Sequence, residues 1–170
     1  MSDFSPRITT PSGLPTWGGD FDDAIDSFAA CVMRATSVDP VITELVRLRC
    51  AQYHDCRLCG SVRLFEAVEQ GVDEATVSMI THYETSDLSD AAKVALRLAD
   101  AMIIRPAAAN AKLRAELREH FTESQIAEIC LDVVKWGQQK YLVALRVETP
   151  PWSGLASLTF DEDGNPQIAL

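Results

Sequence analysis

The helical spacing of apolar residues, which extends almost unbroken from Asp20 to Leu145, constrains the fold of this chain more than any other feature. Each helical stretch is preceded by a residue that favours a helix N-terminus: Asp20, Asp39 before Pro40, Ser89, Asn110 and Thr122. Gln125 follows Thr122 at the spacing of a capping box. We expect the Asp39 helix to run to about Tyr53 and the Thr122 helix to about Leu145. The sequence therefore predicts an all-α helical bundle.

The two ends of the chain differ from this middle part. Prolines and a Gly18-Gly19 pair interrupt residues 1–19, which indicates an extended segment. After Pro150-Pro151, residues 155–160 and 167–170 flank a polar turn, and two structures fit this pattern: a small hairpin, or a loose tail that packs on a neighbouring subunit. We expect an extended N-terminal segment over 1–19, a helical domain over 20–148 and a C-terminal tail over 149–170.

Charge and hydropathy narrow the possible partners. The net charge is −10 and the sequence has no basic stripe, so we expect no nucleic-acid partner. No run of 18 apolar residues occurs, so we expect no membrane span. Met1 to Thr16 lack the apolar stretch of a secretory signal, so we expect a cytoplasmic location.

The chain has five cysteines, and their surroundings divide them into two groups. Three lie in apolar helical patterns and are expected to be small core residues: Cys31, Cys50 and Cys130. Cys56 and Cys59 have polar neighbours instead. With Asp55 as the cap of a helix from Cys56 to Gln70, both thiols lie near a helix N-terminus, where the dipole favours a thiolate. Two such thiols can close a disulfide and attack disulfides or peroxides.

A zinc site is the main alternative for a Cys-x-x-Cys pair. Such a site needs a second pair of Cys or His, and beyond His54 the remaining histidines stand alone in the sequence. We therefore expect a redox pair with no metal and no cofactor.

Glu44 and Arg63 are the charged residues expected beside the pair. If two antiparallel helices join near Asp55, Glu44 and Arg63 lie at similar heights, and Arg63 shares a helix face with Cys59. This predicts a cluster of Glu44, Cys59 and Arg63. The alternative is that Glu44 pairs with Arg47 on a solvated helix face.

These residues resemble a known family. Glu44-Leu45-Val46-Arg47 and Ala51-Gln52-Tyr53-His54-Asp55-Cys56-Arg57-Leu58-Cys59 are similar to the core motif of the carboxymuconolactone decarboxylase and alkyl hydroperoxidase AhpD-like family. The resemblance implies an AhpD-like all-α fold and a homo-oligomer, with trimers or hexamers favoured over dimers. It implies a hydroperoxide or disulfide substrate, attack by Cys59 and resolution by Cys56. It also implies electrons from a lipoylated protein and action beside a peroxiredoxin.

The sequence departs from this pattern at two positions. Peroxidatic members have a histidine where this chain has Arg63, and often another where it has Leu58. Arginine stays protonated and cannot relay a proton, although it can hold a thiolate by charge. His54 is the nearby histidine, and it is interpreted either as a substitute base or as a solvated residue at a helix end.

Three functions therefore fit the sequence. The first is a thiol-dependent peroxidase or disulfide reductase whose site residues are Cys56, Cys59, Glu44, Arg63 and His54. The second is a carboxymuconolactone decarboxylase-like enzyme, which does not need the cysteine pair. The third is a non-catalytic oligomer that senses redox state through the two thiols.

Overall fold

The computed structural model describes residues 20–138, 140–146 and 148–170, so the predicted extended segment over 1–19 lies outside the described residues. The described chain is mainly helical, with one small sheet. The helices are α1 Asp20–Met33, α2 Pro40–His54, α3 Arg57–Gly60, α4 Phe65–Glu69, α5 Glu74–Met79, α6 Asp90–Ile104, α7 Ala111–His120, α8 Glu123–Gly137 and α9 Lys140–Leu145. Two 3₁₀ segments cover Ile80–Thr85 and Pro106–Ala108, and the strands are β1 Val62–Leu64, β2 Ala156–Phe160 and β3 Pro166–Ala169.

The predicted helix starts at Asp39, Ser89, Asn110 and Thr122 are confirmed with their capping hydrogen bonds, whereas Asp20, expected as a cap, is the first residue of α1 itself. The side chain of Asp39 accepts from the Val41 amide at 2.8 Å, which starts α2. Ser89 and Asn110 cap α6 and α7 in the same way. Thr122 and Gln125 form the complete capping box of α8. These starts follow from local sequence because each cap satisfies amides within three residues of itself.

α2 lies at the centre of the core. It packs against both α6 and α8, which also pack against each other, while α1 covers α8 and α7 covers α6. The interior is closed by large apolar side chains: Leu45, Val46, Ile80, Leu96, Leu117 and Ile129. Because α2 is enclosed by two helices, any charged residue on its inner faces needs partners inside the protein. No helix among the described residues is long and apolar enough to cross a membrane.

The predicted single helix from Cys56 to Gln70 is wrong. The chain forms the short helix α3, then β1, then α4. The carbonyl oxygens of Cys59 and Val62 accept hydrogen bonds from the guanidinium of Arg47, at 2.6 and 2.7 Å. A continuous helix would pair these carbonyls with backbone amides four residues onward. Arg47 thus stabilises the break from a distant part of the sequence.

The predicted helix from Thr122 to Leu145 is also two helices in the structure. α8 ends at Gly137 and α9 begins at Lys140, with residue 139 outside the described residues. Glycine is a poor helix former because it loses more backbone entropy than other residues, and its position at the end of α8 fits this cost.

Of the two C-terminal alternatives, the described residues form the hairpin. β2 and β3 pair antiparallel, and β2 also pairs in parallel with β1, with Val62 opposite Ala156. The tip of the hairpin rests on the C-terminal end of α1. There the Arg34 guanidinium donates to the Asp163 carbonyl at 2.7 Å, and Gly164 packs against the Ala30 backbone.

The cysteines expected in the core differ in burial. Cys50 is buried, Cys130 is half-buried, and Cys31 is exposed on α1. The expectation is therefore wrong for Cys31, because the apolar face of α1 that packs on α8 does not include it.

Gly164→Ala is expected to destabilise the fold more than Gly154→Ala. Both glycines have a positive φ, 84° and 80°, so both substitutions strain the backbone. At Gly164 a Cβ would also collide with the Ala30 carbonyl, whereas at Gly154 it would meet nothing within 4 Å. Overpacking of this kind costs about 1–3 kcal/mol. We expect that extra loss for Gly164→Ala in urea unfolding, and equal losses would show that the hairpin tip does not rest on α1.

Candidate active site

The turn between α2 and α3 places the two cysteines. Asp55 ends α2 in the left-handed conformation, with φ 55° and ψ 40°, and the Cys56 amide donates to the Ala51 carbonyl at 2.9 Å. Aspartate adopts this conformation more readily than most residues with a side chain. Asp55 was expected to cap the next helix, but it closes the previous one. The N-terminal cap of α3 is Cys56 itself.

Cys56 and Cys59 are in hydrogen-bond contact. The Cys59 amide donates to Cys56 Sγ at 3.4 Å, and the two thiols also hydrogen-bond to each other. The hydrogen bond from the Cys59 thiol lowers the pKa of Cys56, against the effect of burial. The same hydrogen bond and burial raise the pKa of Cys59. Of the two thiols, Cys56 therefore ionises more readily, and the backbone amides at the start of α3 face its sulfur.

Glu44 and Arg47 form a buried ion pair beneath the cysteines. Arg47 Nε and Nη2 donate to the two Glu44 carboxylate oxygens at 2.6 and 2.8 Å. The Arg47 side chain is 1% exposed and that of Glu44 is 0% exposed. The pairing of Glu44 with Arg47, considered above as an alternative on a solvated helix face, is therefore present but lies inside the protein. Both side chains also form hydrogen bonds to the backbone around the site. The Cys59 and Val62 carbonyls accept from the Arg47 guanidinium, and the Leu64 amide donates to the Glu44 carboxylate.

Arg63 does not join Glu44, so the predicted cluster of Glu44, Cys59 and Arg63 is wrong as drawn. Arg63 Nε and Nη2 donate to the carboxylate of Glu74 at 2.7 and 3.0 Å. Arg63 lies in β1, where successive side chains point to opposite faces, and its neighbours in that strand are the buried ones. Arg63 instead lines a shallow cleft of about 250 Å³ that also contains Cys56.

His54 lies at the end of α2, beside Gly137 and Lys140. It lines neither the shallow cleft nor the larger cavity next to the cysteines. Burial lowers the pKa of His54, and the charge of Lys140 lowers it further. The residue is half-buried, and its Nε2 is buried without a hydrogen-bond partner among the described residues.

Cys59 opens into a cavity of about 300 Å³, which we call the thiol cavity. Its walls come mainly from α1, α3, α8 and the β2–β3 hairpin, with Arg47 of α2 and Val62 of β1, and most of the lining is apolar. The lining includes the side chains of Leu58, Cys59, Lys135, Trp136, Phe160 and Ile168. The two cysteines thus line different openings, Cys59 the thiol cavity and Cys56 the shallow cleft.

Lys135 brings a buried amine into the thiol cavity. Its Nζ lies 3.0 Å from the ring centroid of Trp136 and 4.9 Å from that of Phe160. Burial lowers the pKa of Lys135 to about 7, while the charges of Asp132 and Cys59 raise it and that of Arg47 lowers it. Burial likewise raises the pKa of Asp132, one turn earlier, to about 7.

A second ion pair connects α3 to the C-terminal segment. Arg57 Nε donates to Glu148 at 2.9 Å, and Arg57 Nη2 donates to the Thr149 hydroxyl at 3.0 Å. Glu148 is buried, and its charge raises the pKa of Cys56. In the described part of the chain, no three His, Cys, Asp or Glu side chains are grouped so as to hold a metal ion.

Local sequence pointed to no role for Lys135 or Glu148, and it placed Arg47 only on a solvated helix face, as the alternative partner of Glu44. One signal for Lys135 was present: Glu128, Asp132 and Lys135 follow each other at helical spacing within an otherwise apolar segment. Charges that recur on the inward face of a helix are unlike the outward charges of an amphipathic helix. No comparable signal marked Glu148.

Comparison with known sequences finds relatives of this chain but no matching family model. Uncharacterized proteins from two strains of Mycobacterium tuberculosis are 37% identical to it over 168 residues, covering 88% of this chain and 59% of each relative. The chain thus spans less than two thirds of the length of these relatives.

A solved structure is also similar. It is the crystal structure of a protein of unknown function from Agrobacterium tumefaciens, described as a candidate antioxidant defence protein AhpD. The TM-score is 0.70 at 17% identity, covering 87% of this chain and all of that one. This likeness confirms the predicted fold class: the chain has an AhpD-like helical fold.

Glu44→Gln is expected to destabilise the protein by about 3–5 kcal/mol, because it leaves the buried Arg47 charge uncompensated. Glu74→Gln is the matched control, since Glu74 is exposed and pairs with an arginine through the same two nitrogens. An exposed pair contributes about 0–1 kcal/mol. Urea unfolding of both variants measures the difference, and similar losses would contradict the structural importance of the buried pair.

Lys135→Met is expected to remove a pH-dependent cost of folding. Below about pH 7 the lysine is charged in both the folded and the unfolded chain, and the folded chain bears the full cost of burying that charge. Between about pH 7 and 10.5 only the unfolded chain is protonated, so the wild type gains stability as the pH rises. The advantage of Lys135→Met in free energy of unfolding should therefore shrink by a few kcal/mol over this window. A difference that stays constant with pH would mean that Lys135 is not desolvated.

Proposed function

We propose that this chain is a thiol-dependent oxidoreductase of the AhpD-like type that reduces organic hydroperoxides with the Cys56–Cys59 pair. The observation that carries the proposal is the contact between two thiols at the start of α3, one of which opens into a mostly apolar cavity. Two thiols already in contact can form a disulfide with little movement of the backbone. The candidate antioxidant role of the Agrobacterium tumefaciens protein with the same fold points in the same direction.

Cys59 is the proposed attacking residue, and Cys56 the proposed resolving residue. Cys59 lines the larger cavity, which has room for an organic substrate, whereas Cys56 opens into the shallow cleft. Cys56 ionises more readily than Cys59, so Cys59 becomes a thiolate when its proton moves along the hydrogen bond to an ionised Cys56. This transfer requires no third residue because the two thiols already share that proton.

The proposed reaction balances as follows. The Cys59 thiolate attacks one oxygen of the hydroperoxide ROOH; an S–O bond forms, the O–O bond breaks, and RO⁻ leaves and is protonated to the alcohol ROH. The resulting sulfenic acid on Cys59 is attacked by Cys56, which gives the disulfide and releases water. An external dithiol then reduces the disulfide by thiol–disulfide exchange and is itself oxidised.

Glu44 and Arg47 are proposed to position the site. Arg47 holds the carbonyl of Cys59 and that of Val62, and Glu44 fixes the guanidinium that does so. The charge of Arg47 also favours a thiolate on Cys59. Arg63, in the shallow cleft, is proposed to favour the thiolate of Cys56. His54 lines neither opening, so we propose no proton transfer through it.

The electron donor is proposed to be a dithiol such as a lipoyl group on a partner protein, acting on a homo-oligomer of this chain. A decarboxylase of the related branch is less well supported, because a dicarboxylate needs free cationic groups. Among the described residues two cations line the thiol cavity, Arg47 and Lys135, and Arg47 is already paired with Glu44.

Thiol titration of the wild type, Cys56→Ser and Cys59→Ser with one equivalent of tert-butyl hydroperoxide tests the proposal. The wild type is expected to lose two of its five thiols. Cys56→Ser should accumulate a sulfenic acid on Cys59 that dimedone traps, and Cys59→Ser should react far more slowly. Added dihydrolipoamide should restore both thiols in the wild type and sustain turnover.

Cys50→Ser is the control, since Cys50 is buried and burial raises the pKa of its thiol to about 12. It should behave as the wild type. A trapped sulfenic acid on Cys56 in Cys59→Ser would reverse the two roles. If no thiols are lost from the wild type, the proposed function is wrong.

A further inference from the structure

We propose that Lys135 is a catalytic residue in the thiol cavity. Its ammonium stabilises the thiolate of Cys59 and donates a proton to the oxygen that leaves the peroxide. This inference rests on the proposed function and adds a residue to it. Lys135 belongs to α8, far in sequence from the cysteine motif, and neither the motif nor its spacing points to it.

The position of Lys135 is fixed by the two aromatic rings. The ammonium lies against the faces of Trp136 and Phe160, which belong to α8 and β2 and line the same cavity as Cys59. The face of an aromatic ring attracts a cation, but it is a weaker hydrogen-bond acceptor than an oxygen or a sulfur atom. The protons of Lys135 therefore remain available to a group that enters the cavity.

The electrostatic coupling between Lys135 and Cys59 is mutual. The charge of Lys135 lowers the pKa of the Cys59 thiol, and the thiolate raises the pKa of the Lys135 amine. A substrate that reaches Cys59 inside this cavity therefore enters the field of the ammonium. That field favours the state in which the shared proton has moved to Cys56 and the charge has moved to Cys59.

The other charged groups around Lys135 are less suited to donate the proton. Arg47 uses its guanidinium in four hydrogen bonds, and an arginine does not release a proton near neutral pH. Asp132 and Glu128 precede Lys135 on α8 but do not line the thiol cavity, and Glu128 accepts from the Ser37 and Val38 amides. Asp26 of α1 also lines the cavity.

Burial makes Lys135 able both to give and to take a proton. Its pKa is lowered to about 7, so the amine and the ammonium are both populated near neutral pH. General acid–base groups work best when the pKa lies near the pH of the reaction. A solvated lysine, with a pKa about three units higher, would hold its proton too firmly to release it quickly.

The proton steps can be written with Lys135 in place. As the O–O bond breaks, RO⁻ takes a proton from the Lys135 ammonium and leaves as ROH. The Cys56 thiol then gives its proton to the neutral amine and attacks the sulfur of the Cys59 sulfenic acid. The departing hydroxide takes that proton from Lys135 and leaves as water. The amine finally regains a proton from solvent.

Lys135→Met and Lys135→Arg, compared with the wild type, test this role. The rate constant for oxidation by tert-butyl hydroperoxide is measured from thiol loss in rapid-quench samples between about pH 5.5 and 9.5. At pH 7 Lys135→Met should react roughly 100-fold more slowly, and the ionisation near pH 7 should be absent from its profile. Lys135→Arg keeps the charge without a transferable proton, so it should recover part of the rate but not that ionisation. Lys112→Met, which removes a lysine that is 84% exposed, should match the wild type.

The outcomes separate the two proposals. If the wild type reacts but Lys135→Met keeps both its rate and its pH profile, Lys135 is not catalytic and the proposed function still stands. If the wild type itself does not react, the proposed function fails and this inference with it. A uniform loss of rate in Lys135→Met with an unchanged pH profile would indicate a packing role and would also overturn the inference.

Discussion

The buried ion pair of Glu44 and Arg47 is the interaction on which the rest of this site depends. Removing two charges from water costs several kcal/mol per ion, and such a pair is tolerated only when its remaining donors and acceptors are satisfied. Here they are satisfied by the Cys59 and Val62 carbonyls and the Leu64 amide. The pair therefore needs the short helix α3 and the strand β1 where they are, and those segments need the pair in turn.

The break after α3 also explains the rest of the architecture around the thiols. Because the chain is extended at β1, β2 can pair with it, and the hairpin that follows forms a wall of the thiol cavity. Phe160 of that hairpin meets Lys135 of α8, so a residue near the C-terminus completes the surroundings of Cys59. The cavity is thus assembled from elements that are distant in sequence.

Local sequence was sufficient for the features that depend on local contacts. The caps at Asp39, Ser89, Asn110 and Thr122 act within three residues, and a sequence pattern contains all of their partners.

Local sequence was insufficient where a side chain distant in sequence determines the local structure. Arg47 lies twelve residues before the carbonyl of Cys59, and it overrides the helical pattern there. Arg63 was misplaced for the same reason, since a change from helix to strand changes the face on which a side chain lies. The burial of Lys135 depends on packing against Phe160, which no local pattern reveals.

In the proposed reaction Cys56 and Cys59 form the redox pair, and the remaining cysteines take no part. The decisive measurement is peptide mapping by mass spectrometry, after the reduced protein reacts with one equivalent of tert-butyl hydroperoxide and is quenched with an alkylating reagent. We expect a single intramolecular disulfide that joins Cys56 to Cys59, with Cys31, Cys50 and Cys130 alkylated, and loss of that disulfide on addition of a dithiol. A disulfide through any other cysteine, or full alkylation of the pair after exposure to the peroxide, would contradict it.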